Sequence, residues 1–311
     1  MSGLFALSAL LALAALALAA PAWGPGTHIQ LTRLVLGRLR SRRGLNSAQA
    51  LVLEHPQAFL YGNVAADLIN FKGYGGFRNH CHNWSIQERL EEVAEDEGAR
   101  AFILGYLCHL AADVVAHNHF VPYHLVANFP PKILGHLYWE ALADAQVTEE
   151  EWHAVDGIKR SRQFRVFDSM VHRAVRRKVL SLRSNRWIFN NILLGSSRRR
   201  WRELVQSVRD AERKHRLDPA FHEACRQASL RLALSVFHPR RLALLKVFDP
   251  RGKGALQGAA RLRRELLRDF GVRSRARDVA SALAHAAYSR LPWALSSRPV
   301  RRYDPRHEEQ L

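Results

Sequence analysis

A chain of 311 residues, 48% hydrophobic and 24% charged, is long enough to bury a large core in one or two domains. Eighteen Gly and twelve Pro exclude a fibrous or wholly disordered protein, and three cysteines exclude a disulfide-dense scaffold. Lys and Arg total 47 against 28 acids, a formal charge of +19 and a pI near 10.9, which suits an anionic partner: lipid headgroups, nucleic acid or phosphate esters.

Residues 4–20 form an uninterrupted run of Leu, Ala, Phe and one Ser, at the lower edge of a membrane span. It ends in Ala20-Pro21-Ala22, a small-x-small cleavage pattern, directly before Trp23-Gly24. The expectation is a signal peptide over 1–22 and a secreted or periplasmic mature protein, soluble or peripheral; an uncleaved anchor is the alternative. No later segment reads as long and apolar enough to span a bilayer.

From there the charge divides the chain. Residues 23–155 carry ten basic and fourteen acidic side chains, a net of −4, and are rich in His, aromatics and Gly. Residues 156–311 carry 37 basic and fourteen acidic ones, a net of +23. Two regions with different tasks are expected.

In the first region His28 opens the amphipathic pattern Ile29–Leu39. Asp67 ends the small-residue stretch Tyr61-Gly62-Asn63-Val64-Ala65-Ala66. After the Gly-rich turn 73–76, Asn79-His80-Cys81-His82-Asn83-Trp84 offers alternate histidines in a loop. Next comes an apolar helix over Ala99–Val121, in which His109, Asp113 and His117 lie at i, i+4 and i+8 and share one face. A buried Asp between two His needs compensation. A metal supplies it, since neutral imidazoles and a carboxylate are zinc ligands; a hydrogen-bonded core cluster is the blander reading. His136 and Glu140 repeat the i, i+4 spacing further on. Cys81 and Cys108 each sit beside a histidine, which allows a disulfide between them, with plain buried thiols as the alternative.

The series as a whole resembles the zinc-dependent phospholipase C superfamily, over about residues 23–145. That superfamily includes bacterial phospholipases C, the catalytic domain of glycosylphosphatidylinositol-specific phospholipase D, and the fungal single-strand zinc nucleases. The resemblance implies that Trp23, as mature N-terminus, binds zinc through its α-amino nitrogen and carbonyl oxygen. It implies His28 and Asp67 as further ligands, then His82 or His80. His109 and Asp113 match the central HxxxD, where the acid bridges two metals. The run HLAADVVAH is similar to the phospholipase D and favours His117 next, whereas the bacterial spacing points to His119. His136 and Glu140 match the closing HxxxE. Asp67 doubles as the possible general base, because the family acid at this place contacts attacking water. Two to three Zn2+ per chain follow.

Residues 156–295 read as basic helices, at Asp168–Leu182, Ser196–His215, Pro219–Phe237, Gly254–Phe270 and Asp278–Leu291, packed on or extending the catalytic region. Their Arg clusters are either solvated faces or a surface for an anionic membrane. Residues 296–311 read as a disordered tail. The sequence therefore predicts an all-α fold, a multi-helix bundle around a buried zinc cluster with additional C-terminal helices. The predicted function is that of a secreted zinc phosphodiesterase, phospholipase C acting on phospholipids. The alternatives are a secreted zinc nuclease, with nucleic acid as substrate, and a non-catalytic zinc-holding protein that binds lipid or a partner.

Overall fold

The computed structural model describes residues 23–68, 81–128, 135–175, 180–188, 217–271 and 274–292. All regular structure among the described residues is helical. The signal segment, His80, the Gly-rich turn, the helix expected at Ser196–His215 and the C-terminal tail lie outside them.

Helix α1 (Pro25–Arg40) starts with Pro at its first position, where the missing N–H costs nothing. Helix α2 (Ser47–Glu54) is fixed by a capping box: Gln49 N–H donates to Asn46 Oδ1 at 2.9 Å and Asn46 N–H to Gln49 Oε1 at 3.1 Å. Helix α3 (Pro56–Ala65) lies against the centre of the molecule, helix α5 (Glu97–Val115). Asp96 caps α5 by accepting from the Ala99 amide at 2.7 Å. Short α4 (Ile86–Glu91) joins the two segments.

Two glycines set how closely α3 and α5 approach. A Cβ on Gly62 would lie 2.0 Å from the Phe102 carbonyl oxygen, and one on Gly105 would lie 2.0 Å from that of Phe59. The backbones touch there, so only glycine fits at either position. The contact brings Asn63 of α3 level with His109 of α5.

The helix expected over Ala99–Val121 differs in its last turns. α5 stops at Val115, Ala116–Phe120 form a π-turn, and α6 (Val121–Ala127) continues with Pro122 in its first turn. A π-turn inserts a residue into the helical register, and such insertions concentrate at functional sites. The whole run Glu97–Ala127 is also long and apolar enough to cross a bilayer, contrary to the sequence expectation, but its most apolar stretch is mostly buried inside the protein. It serves as the core helix.

Helix α7 (Gly135–Asp144) and helix α8 (Glu149–Arg160) pack on α1, while α9 (Arg165–Ala174) packs on α3 and α4 and leads to α10 (Leu182–Ile188). Tyr61 of α3 hydrogen-bonds the buried Asp168 of α9. In the basic region α11 (Pro219–Ser235) lies along α5, capped by Asp218, which accepts from the Phe221 amide at 3.0 Å. The sequence did not suggest α12 (Pro239–Leu245). α13 (Lys253–Phe270) and α14 (Ser274–Tyr288) cover α6. One continuous buried cluster runs from Trp23 to Leu291, so the C-terminal helices share the core of the first region. The three cysteines are buried, and the disulfide between Cys81 and Cys108 is not formed.

Candidate metal centre

Three groups of His and carboxylate side chains converge in the interior. The first is His28, Asp67 and His109; the second is His82, His109 and Asp113; the third is His117, His136 and Glu140. Within each group the ligating atoms lie within 4.8 Å of one another. Shared His109 fuses the first two groups, and Asp113 reaches across all three. Its Oδ1 is 3.3 Å from His28 Nε2, and its Oδ2 is 3.2 Å from His109 Nε2, 3.3 Å from His82 Nε2 and 4.0 Å from His117 Nδ1.

The backbone explains this convergence. α5 presents His109 and Asp113 one turn apart, and the glycine contact with α3 places Asn63 between two rings. His109 Nδ1 donates to the Asn63 carbonyl at 2.9 Å, and His28 Nδ1 to Asn63 Oδ1 at 3.2 Å. His117 Nδ1 donates to the Pro250 carbonyl at 2.6 Å. A carbonyl oxygen accepts only, so each Nδ1 carries a proton and Nε2 is the nitrogen left to a metal. His82 Nδ1 faces Cys81 Sγ at 3.4 Å, and its Nε2 faces Asp67 Oδ1 at 3.3 Å and His109 Nε2 at 3.0 Å. Such outer hydrogen bonds are what orients histidines toward a metal.

Charge and solvation make the same demand. Asp113 and Glu140 are fully enclosed, and among the described residues the ion-pair partners of both are histidines rather than Lys or Arg. Burial drives the His117 imidazole down to about 3, so it is neutral at ordinary pH. His28 is lowered by burial and by its neighbour His109. For His109 burial acts downward too, yet the Asp113 and Asp67 carboxylates outweigh it and raise the group. Burial would raise Asp113, but the surrounding histidines, His109 first, hold it well below the usual range. Glu140 is pushed up to about 7 by burial.

The donor set fits zinc. His28 Nε2, both Asp113 oxygens, His136 Nε2 and both Glu140 oxygens are buried without a hydrogen bond among the described residues. His136 Nε2 stands 2.7 Å from Glu140 Oε1. Buried ligating atoms left without a hydrogen bond are costly, and a divalent cation removes that cost.

Of the remaining sequence-derived candidates, His119 lies outside these groups and Trp23 offers them no side chain. His119 turns away and donates from Nδ1 to the Tyr288 carbonyl at 3.0 Å, while His117 alone joins His136 and Glu140. Trp23 is buried through its indole, which donates to Ser229 Oγ at 3.2 Å and packs on Phe120 at 4.5 Å between ring centroids. The side-chain groups do not include it.

Sequence reading missed three contributors. Asn63 orients two histidines, and its only signal was its place in a small-residue stretch. Asp144 fixes the start of α1, and was legible only as the residue one turn after Glu140. The Pro250 carbonyl holds His117 and left no side-chain signal at all.

The family described as zinc dependent phospholipase C matches residues 27–229, about two thirds of the chain and the whole of the three groups. Neither the curated proteins nor the solved structures give a match.

Proposed function

The chain belongs to the zinc-dependent phospholipase C family, and from that premise we propose that it is an exported phospholipase C that hydrolyses the phosphodiester of phospholipids. The observation that carries this reading is the convergence of His28, His82, His109, His117, His136, Asp67, Asp113 and Glu140 into three fused groups. Within them His28, His136, Asp113 and Glu140 present buried ligating atoms that no hydrogen bond from the described residues satisfies. These residues would hold two to three zinc ions, Asp113 serving more than one. Zinc bound there supplies Lewis-acid polarisation of phosphoryl oxygens and a water acidic enough to attack at neutral pH.

The chain's own residues divide the remaining work. Asp67 is the least enclosed carboxylate of the two groups it borders, with side-chain exposure of 8% against 0% for Asp113. We assign it the proton of the attacking water as that water closes on phosphorus and the bond to the glyceryl oxygen breaks, the departing oxygen leaving as the alcohol with a proton taken from solvent water. Asn63 and Pro250 keep the histidine rings in their ligating tautomer throughout. The buried walls around Asp113 exclude bulk water, so the charges act at low dielectric.

Removal of residues 1–22 would leave Trp23 with a free α-amino group beside α1, where the Gly24 carbonyl already accepts from the His28 amide at 3.1 Å. The rival substrate is a polynucleotide, which the net +23 of residues 156–311 would also attract. A product assay on the zinc-loaded mature protein tests the reading. Diacylglycerol and a phosphorylated headgroup are expected from mixed vesicles. Nucleotides from single-stranded DNA with no diacylglycerol would move the assignment to a nuclease, and no product from either to a zinc-holding binding protein.

A further inference from the structure

The π-turn that carries His117 is gripped by a segment lying beyond the matched family span. His117 Nδ1 donates to the Pro250 carbonyl at 2.6 Å, and Asn118 Nδ2 donates to the Asp249 carbonyl at 2.7 Å. The same Asn118 amide reaches the Val114 carbonyl at 2.9 Å, which ties the π-turn to the last turn of α5. Gly252 completes the grip. It has φ +56°, and a Cβ on it would come 2.3 Å from the His117 carbonyl oxygen and 2.6 Å from the His117 Cβ. At the other end of the segment, the indole of Trp84, two positions along the chain from His82, donates to the Phe248 carbonyl at 2.8 Å.

Five consecutive residues, 248–252, thus offer three carbonyls and one bare Cα to the two segments that bear His82 and His117. The segment is itself rigid. Asp249 Oδ1 accepts from the Arg251 amide at 3.0 Å, its Oδ2 from the Lys253 amide at 3.0 Å, and its carbonyl from the Gly252 amide at 3.2 Å. That turn leads straight into α13, so the strap is anchored to a helix of eighteen residues.

We propose that residues 248–252 are a positioning strap which fixes the tautomer and direction of His117, making the C-terminal helices part of the metal centre. The reason is chemical. A Pro carbonyl cannot donate, so the ring hydrogen must sit on Nδ1, which leaves Nε2 as the nitrogen whose lone pair the group with His136 and Glu140 would use. The His117 and His136 rings stand edge to face at 5.1 Å between centroids, and a ligating atom of each lies within 4.8 Å of the other and of Glu140. Without the strap the ring could flip or take the other tautomer, and the third group would lose one of its three donors. The proposal rests on the zinc reading of the three groups, and its test separates the two.

Zinc-free wild-type protein, Gly252→Ala and Asn118→Ala are compared, the last because it removes one strap bond without adding an atom and so keeps the fold. Long-range ¹H–¹⁵N spectra report the ring tautomer of His117 with no metal present. Wild type should show Nδ1–H alone, Gly252→Ala a mixture, and Asn118→Ala a smaller admixture. Chelator competition with zinc should then show one ion weakened by about 10–100-fold in Gly252→Ala, the usual effect of losing an outer partner, with the others within about twofold. Unchanged tautomer and unchanged zinc affinity in both variants would overturn the strap. So would equal weakening of every ion, since that marks a general packing defect. A tautomer shift in a protein whose wild type binds no zinc would uphold the strap and sink the zinc reading instead.

Discussion

Asp144, at the last turn of α7, caps the helix that carries His28 by holding Thr27. Its Oδ1 accepts from the Thr27 amide at 2.8 Å and the Thr27 hydroxyl at 2.6 Å, and its Oδ2 accepts from the Gly26 amide at 3.0 Å. The N-cap position itself is Gly24, which has no side chain to offer, and a Cβ there would lie 2.3 Å from Asp144 Oδ2. A residue 117 positions along the chain from Thr27 has taken over the capping task. Because Glu140 lies one turn earlier on the same helix, α7 places a site carboxylate and fixes the site's first histidine together.

Asp144→Ala should therefore cost more than an ordinary exposed cap, which is worth about 1 kcal/mol, because the orphaned amides are buried. Roughly 2–3 kcal/mol is expected, read by urea denaturation of the zinc-free protein. Zinc content should fall with it through His28. A variant as stable as wild type would make the three hydrogen bonds incidental.

The same carboxyl gives a pH signature. Burial pushes Asp144 up to about 6 from 3.8, against the downward pull of the Thr27 and Gly26 hydrogen bonds. For an acid with a raised folded pKa, the native state binds more protons than the unfolded one between those two values. Stability then falls as pH rises from about 4 to about 6, by at most roughly 1.4 kcal/mol for each pH unit crossed. Asp144→Asn should lose this fall, so the stability difference between wild type and variant must change sign or size across that window in zinc-free protein. A pH-independent difference would show that the carboxyl titrates normally.

Asp113 touches all three groups, and so Asp113→Ala should remove at least one zinc and more metal than any single histidine change. Elemental analysis of dialysed protein reads this directly. His117→Ala should lose an ion where His119→Ala does not, since His119 is spent on the Tyr288 carbonyl. Equal losses from the two histidine variants would mean that the π-turn rearranges when metal binds.

The expected first residue of the exported protein is Trp23. A free α-amino group has an unperturbed pKa of about 7.7–8.0 and gives up its proton to zinc at modest cost, whereas an amide nitrogen does not. Intact-mass measurement decides, and any other N-terminus removes the α-amino group from the donor set.

How much of this was legible in the sequence depends on what kind of atom does the work. His109 and Asp113 could be read because side chains at i, i+4 on an apolar helix have one geometric consequence. His136 and Glu140 followed for the same reason. The choice between His117 and His119 could not be made from spacing, because the π-turn shifts the register by a residue and no side chain announces it. The partners of those histidines were illegible for a deeper reason: Pro250 and Tyr288 act through carbonyls, which every residue has. Gly62 and Gly105 were visible only as small residues, although the α3–α5 approach depends on both. The all-α bundle was readable from periodicity, but the run Glu97–Ala127 shows that apolar length alone does not separate a core helix from a membrane span.

The Arg clusters of the basic half read as either solvated faces or a surface for an anionic membrane, and the strap gives part of that half another task, so the two must be tested on different residues. On α13, Arg261, Arg264 and Arg268 are exposed, and Leu267 and Phe270 stand beside them 43% and 39% exposed. Cationic side chains flanking exposed apolar ones suit an anionic bilayer, each Lys or Arg near the surface being worth about 1 kcal/mol. None of these five belongs to residues 248–252 or to the three histidine groups. Arg261→Glu with Arg264→Glu should therefore lower activity on anionic vesicles by about tenfold or more, and by less as salt rises past the screening range of about 8 Å at physiological strength. Activity on a short soluble phosphodiester should stay within about twofold, and zinc content should not move. Equal losses on both substrates would assign these arginines to the fold. A loss confined to polynucleotide cleavage would show that the charge serves nucleic acid rather than lipid.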